Sequence, residues 1–106
     1  MVTVPIGLEL EGKMIRSFKC KKTQKLYETG ECDKRFRVFQ RAAEKALRRL
    51  EAAEELSDLR NPPSNRFEAL GGDRKGQYSI RVNDRWRICF TWNEKGPADV
   101  EIVDYH

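Results

Sequence analysis

The sequence predicts an α+β domain in which an N-terminal strand and two helices pack on an antiparallel sheet. Two observations carry the prediction. Between Phe36 and Ala53 the apolar residues recur at spacings of three and four, whereas from Tyr78 onward they alternate with polar residues; these are the periods of a helix and of a strand. Helices come first and strands afterwards, which is the order of a meander covered on one face. A chain of 106 residues holds one such domain, with a core that is adequate but small.

Residues 1–13, MVTVPIGLELEGK, read as a leader or tag-like extension. Their apolar residues share one parity, as in an edge strand, but Pro5 and Gly7 interrupt them and a second methionine, Met14, follows. The domain is therefore expected over residues 14–106. Ile15 and Phe18 bracket a short strand, and KKTQKLYETG reads as a brief helical stretch closed by Gly30. Asp33 is placed as N-cap of the longest element, an amphipathic helix with Phe36, Phe39, Ala43, Ala46, Leu47, Leu50 and Ala53 on its inner face. Leu56 and Leu59 continue briefly before NPPSN enforces a loop. NRFEAL, QYSIRV, RWRICFTW and DVEIVDYH then read as strands, separated by GGDRKG, a hairpin loop and NEKGPA.

Twenty-one Lys and Arg against 17 Asp and Glu give a net charge of +4, which admits a polyanionic partner. The helix carries Lys34, Arg35, Arg37, Arg41, Lys45, Arg48 and Arg49 away from its apolar face, a run that serves either as a solvated surface or as a grip on phosphates. Cys20, Cys32 and Cys89 show no C-x-x-C spacing, and one histidine is present to join them, so the chemistry points away from a zinc site and toward a reducing, cytoplasmic setting. No apolar run approaches a membrane span, and the first residues lack the pattern of a signal peptide.

Parity fixes the central hairpin. Tyr78, Ile80, Val82, Trp86, Ile88, Phe90 and Trp92 are all even-numbered. Both strands present these residues to one face only if paired positions sum to an even number, which sets Val82 opposite Trp86 across a three-residue loop, Asn83 to Arg85. Arg81 then stands across from Arg87 on the other face. Like charges so opposed destabilise a strand pair by a few tenths to about 1 kcal/mol unless solvent or an anion offsets them. The last strand, by the same parity, buries Val100 and Ile102 and turns Glu101, Val103 and Tyr105 toward the arginines, where Glu101 could simply pair with Arg87.

The only histidine, His106, ends the chain beside Asp104 and Tyr105. Asp-Tyr-His is no hydrolase triad, because no serine or cysteine with matching geometry accompanies it. The groups fit ribonuclease transesterification instead. There the 2′-hydroxyl of the RNA attacks the adjacent phosphorus, and the protein supplies a base, a cation for the phosphorane and an acid for the leaving oxygen. His106 titrates in the useful range, Arg81 and Arg87 offer bidentate donors, and Tyr105 could stack on a base.

MIRSFKC, LGGDRKGQYSIRVNDRWRICF and the terminal VDYH resemble the HigB toxins of the RelE/ParE superfamily, over Met14 to His106. The joint occurrence of G-D-R-x-G, W-R-I-x-F and terminal D-Y-H makes the resemblance specific. It implies a microbial-ribonuclease-like fold, cleavage of translated mRNA in the ribosomal A site, no metal cofactor, and neutralisation by a HigA-like helix-turn-helix antitoxin that carries any contact with operator DNA. It carries catalytic roles onto Arg87, Asp104, Tyr105 and His106. RNA binding falls to Arg81, to Arg74 and Lys75 of the GDRKG turn, to Arg85 of the hairpin loop, and to Arg37, Arg41 and Arg48 of the helix. One departure stands out: several relatives have histidine ahead of Pro-Leu-Lys-Gly, where this chain has Glu68 in FEALGG, so Gly71 takes the place of a lysine. Glu68 could act as general base, or it could pair with Arg66 or Arg81. A ParE-like gyrase inhibitor and a degenerate module member that only binds antitoxin are the alternatives on the same scaffold.

Overall fold

A computed structural model describes residues 14–104. Two α-helices, α1 (Lys21–Thr29) and α2 (Gln40–Ala52), precede four strands, β1 (Glu68–Ala69), β2 (Tyr78–Arg81), β3 (Trp86–Asn93) and β4 (Gly96–Asp104). The strands form an antiparallel meander in the order β1-β2-β3-β4. The predicted N-terminal strand is a single bridge, Phe18 to Val100, running parallel to β4 along its outer edge. The Arg16 amide donates to the Pro97 carbonyl at 2.8 Å and the Lys19 amide to the Val100 carbonyl at 2.9 Å. A little further on, the Ile102 amide donates to the buried Thr23 hydroxyl of α1 at 3.1 Å, so helix and bridge together occupy an edge that would otherwise offer unpaired backbone groups.

The hairpin register is the one that parity requires. Tyr78 faces Phe90, Ile80 faces Ile88 and Arg81 faces Arg87, while the Val82 amide donates to the Trp86 carbonyl at 2.9 Å. Even-numbered side chains Ile80, Val82, Ile88, Phe90, Val100 and Ile102 meet Leu26 of α1 and Ala43, Leu47 and Leu50 of α2 in one core. The parity carries into β4 as far as Cys89. There the register shifts between Cys89 and Thr91, at the level where Asp99 takes φ 51°, as expected when a bulge lets one extra residue into a strand.

The last strand starts at Gly96, inside the NEKGPA segment expected to be a turn, because the chain turns back within Glu94 and Lys95 and pairs at once with β3. Two further elements depart from expectation. Asp33 caps no α-helix: its carboxylate accepts from the Arg35 amide at 2.9 Å, and its carbonyl accepts from the Phe36 amide at 2.9 Å. The chain then turns through a 3-10 segment, Arg37–Phe39, and α2 begins at Gln40. Packing decides this. Phe36 and Phe39 must both reach the Trp86 ring, at 5.8 and 5.1 Å between centroids, and the tighter winding leaves Val38 almost wholly exposed. The NRFEAL strand shrinks to two residues because Asn65 is drawn inward and Phe67 stacks on Tyr78 at 5.7 Å, ahead of the ladder. The Leu70 amide still donates to the Gln77 carbonyl at 2.9 Å before the Gly72–Arg74 turn ends the pairing.

Candidate active site

The sheet face opposite the helices is organised in rows that the registers dictate. Glu68, Ser79, Cys89 and Glu101 lie across the four strands in one row, and Arg81, Arg87 and Val103 form the next. Side chains directly opposed in a row sit about 5 Å apart at Cβ; Glu68 is so opposed to Ser79, whereas Arg87 lies diagonally from Ser79 in the next row.

Arg87 is the centre of this face. Its side chain is only 9% exposed. Its Nε–H donates to the Ser79 hydroxyl at 2.8 Å, and its Nη2 donates to the Arg66 carbonyl and, at 3.5 Å, to the Ser79 carbonyl. All of these acceptors are neutral, and no carboxylate among the described residues lies within ion-pair distance of Arg87. Burying a charge without a counter-ion is costly, and Arg81 directly opposite adds repulsion. Nor does the neighbouring thiol supply the missing anion: burial pushes the Cys89 pKa up, against the opposing pull of the Arg74 guanidinium.

Most other charged groups on or near the face are engaged. Glu101 does not pair with Arg87 as parity allowed; it accepts from Arg74 Nη1 at 3.1 Å, with Lys19 at 4.0 Å, because the GDRKG turn folds Arg74 over the row that holds Glu101. Arg74 also reaches Gln77 at 3.0 Å. Arg81 binds Asp84 of the hairpin loop. Glu68 is exposed and makes no ion pair with Arg66 or Arg81, leaving its carboxylate available beside the Ser79 and Arg87 pair.

Asp104 pairs with Trp86 and so has the parity of the core face. Its carboxylate takes Arg85 Nε at 2.9 Å and Nη2 at 2.8 Å, an ion pair that raises the Arg85 pKa. Tyr105 and His106 lie outside the described residues. Arg37, Arg41 and Arg48 are exposed on the helical layer, across the core from Arg87, and Lys75 is exposed in the turn after Arg74. The structure thus brings Glu68, Arg74, Arg81 and Arg87 to one face and sets the helical arginines apart from them. Ser79, Asn65 and the Arg66 carbonyl were invisible beforehand; Ser79 showed only as a small polar residue of the right parity.

The family model for the RelE-like toxin of the type II toxin–antitoxin system HigB matches residues 16–106. The chain belongs to the HigB-like toxin family. Toxin HigB-1 of Vibrio cholerae serotype O1 is 47% identical to it over 97 residues, covering 88% of this chain and 98% of that protein. Endoribonuclease HigB of Proteus vulgaris is 31% identical over 93 residues, covering 88% of this chain and all of that protein. A Haemophilus influenzae protein is 35% identical over 57 residues, about half of each chain. The α+β fold expected from the sequence agrees with this membership, and as a type II module toxin this HigB-family protein has an antitoxin as its partner. Among the described residues no helix is long and apolar enough to cross a membrane.

Proposed function

We propose that this HigB-family protein is an endoribonuclease that arrests growth by cutting translated mRNA in the ribosomal A site. The single observation that carries the reading is the buried Arg87 guanidinium, held by neutral acceptors with no carboxylate partner among the described residues. Such a group is suited to the charge that develops on a phosphorane in transesterification. The name of the Proteus vulgaris relative, Endoribonuclease HigB, supports the same chemistry. In this scheme Glu68 removes the proton of the 2′-hydroxyl, Arg87 takes the equatorial oxygens with Arg81 beside it, and the C-terminal Tyr105 and His106 supply stacking and the proton for the leaving 5′-oxygen. Asp104, tied to Arg85, sets the end of β4 from which those residues emerge. The ribosome aligns the substrate, which turns the encounter into an effectively unimolecular step. A HigA-like helix-turn-helix antitoxin neutralises the toxin in the cytoplasm and carries the operator contact.

Induction without antitoxin, followed by primer extension on expressed transcripts, tests the reading. Cuts within reading frames are expected, and both Arg87→Ala and deletion of His106 should restore growth while antitoxin binding persists. Intact transcripts accompanied by DNA breaks would instead place the protein with gyrase inhibitors.

A further inference from the structure

We propose that Ser79 is a positioning residue for cleavage: it clamps the Arg87 guanidinium so that its Nη1 edge, and not its Nε edge, meets the scissile phosphate. This rests on the reading of Arg87 as the phosphorane-binding cation and goes a step beyond it.

Ser79 is fully buried in the middle of β2 although its parity turns it away from the apolar core. It contributes two acceptors to one partner, its hydroxyl to Nε–H at 2.8 Å and its carbonyl to Nη2 at 3.5 Å. Nη2 also reaches the Arg66 carbonyl. A guanidinium has five N–H groups in a rigid plane, and these contacts use the Nε and Nη2 side of it. The two Nη1 hydrogens make no hydrogen bond among the described residues, so the plane is fixed and its free edge is defined.

The second holder is fixed as firmly. Arg66 adopts φ 45° and ψ 53°, and the preceding Asn65, 1% exposed, locks the segment. The Asn65 amide donates to the Leu59 and Asn61 carbonyls at 3.1 Å each and accepts from Arg49 at 3.1 Å. The Arg66 carbonyl therefore stands on a rigid base. Both holders are neutral dipoles. A carboxylate in either place would orient Arg87 equally well but would cancel the charge that the phosphorane needs; a hydroxyl and a carbonyl orient it and leave that charge in force.

Cleavage of mRNA on programmed ribosomes by the purified full-length protein tests this, comparing wild type with Ser79→Ala and Arg87→Ala. Ser79→Ala should lower kcat about 10- to 100-fold, as misplacement of a catalytic group by about 1 Å does, and should change the half-saturating ribosome concentration less than about threefold, since uniform binding is untouched. In parallel, the Arg87 15Nε–1Hε resonance should exchange slowly with solvent in the wild type and rapidly in Ser79→Ala. Wild-type kcat in Ser79→Ala, with Arg87→Ala inactive, overturns the clamp and leaves the nuclease reading standing. Lost activity with the Arg87 Nε–H still protected also overturns it, because Ser79 then acts elsewhere. If Ser79→Ala does not fold, the wild-type resonance decides alone: exchange at the rate of free arginine overturns the clamp. Arg87→Ala as active as wild type removes the nuclease assignment and the clamp with it.

Discussion

Glu68 is the residue that the resemblance to HigB toxins singled out as unusual, and its surroundings define what it can do. It faces Ser79 across the β1–β2 ladder, two strands and one row from Arg87, and it is exposed with no ion pair among the described residues. Glu68→Gln keeps shape and polarity while removing the base proposed above, so on that proposal it should slow cleavage by at least about 100-fold, the lower end of general-base contributions. The melting temperature should stay within a few degrees of wild type, since exposed substitutions change stability by about 0.5 kcal/mol or less. Single-turnover cleavage and thermal melting check the two halves, and unchanged cleavage would return the base to a residue at the C-terminus. The resemblance pointed to Glu68, but only the register shows that it shares a face with Arg87.

At the scale of elements, the hairpin and α2 are coupled through aromatic rings. Phe36 meets Trp86 edge-on at 5.8 Å and Phe39 at 5.8 Å, and is itself 1% exposed. It therefore joins the entry to α2 to the first residue of β3, immediately before Arg87. Phe36→Ala should destabilise the fold by about 3–5 kcal/mol, a loss typical for a buried phenylalanine, and lower the melting temperature by at least about 12 °C at about 4 °C per kcal/mol. Differential scanning calorimetry measures it; a drop of only a few degrees would mean that the turn from Asp33 to Phe39 repacks without consequence. The helix period was plain in the sequence because every third or fourth residue was apolar. The start of α2 was not, because Asp33 satisfies the Arg35 amide just as an N-cap would, and the aromatic contacts that impose the 3-10 turn come from residues nearly fifty positions away in the chain.

The molecule as a whole separates two basic surfaces. Arg81 and Arg87 lie on the open face of the sheet, while Arg41, Lys45 and Arg48 are set on α2, with the core between. On the proposed function, such a separation suits a protein held between two sources of phosphate. If α2 grips rRNA while the sheet face holds mRNA, Arg41→Ala with Arg48→Ala should weaken ribosome binding and reduce the slope of log affinity against log salt by about 2, one for each lost phosphate contact. Cleavage at saturating ribosome concentration should be unchanged. Filter binding across a salt series reads the slope, and a double variant with wild-type slope would show that α2 is only a solvated face.

Local periodicity determined the α+β class, the apolar face of α2 from Ala43 to Leu50, and the hairpin register that sets Arg81 against Arg87, because side-chain direction in helices and strands follows from covalent geometry and burial alone. Short motifs determined the toxin family. The tertiary structure decided how the charges are paired among the described residues: that Glu101 goes to Arg74, Asp84 to Arg81 and Asp104 to Arg85, and that Arg87 is left there to a serine hydroxyl and two carbonyls. Ion pairing and backbone carbonyl placement depend on distances between segments remote in sequence, and no alternation or spacing along the chain encodes those distances.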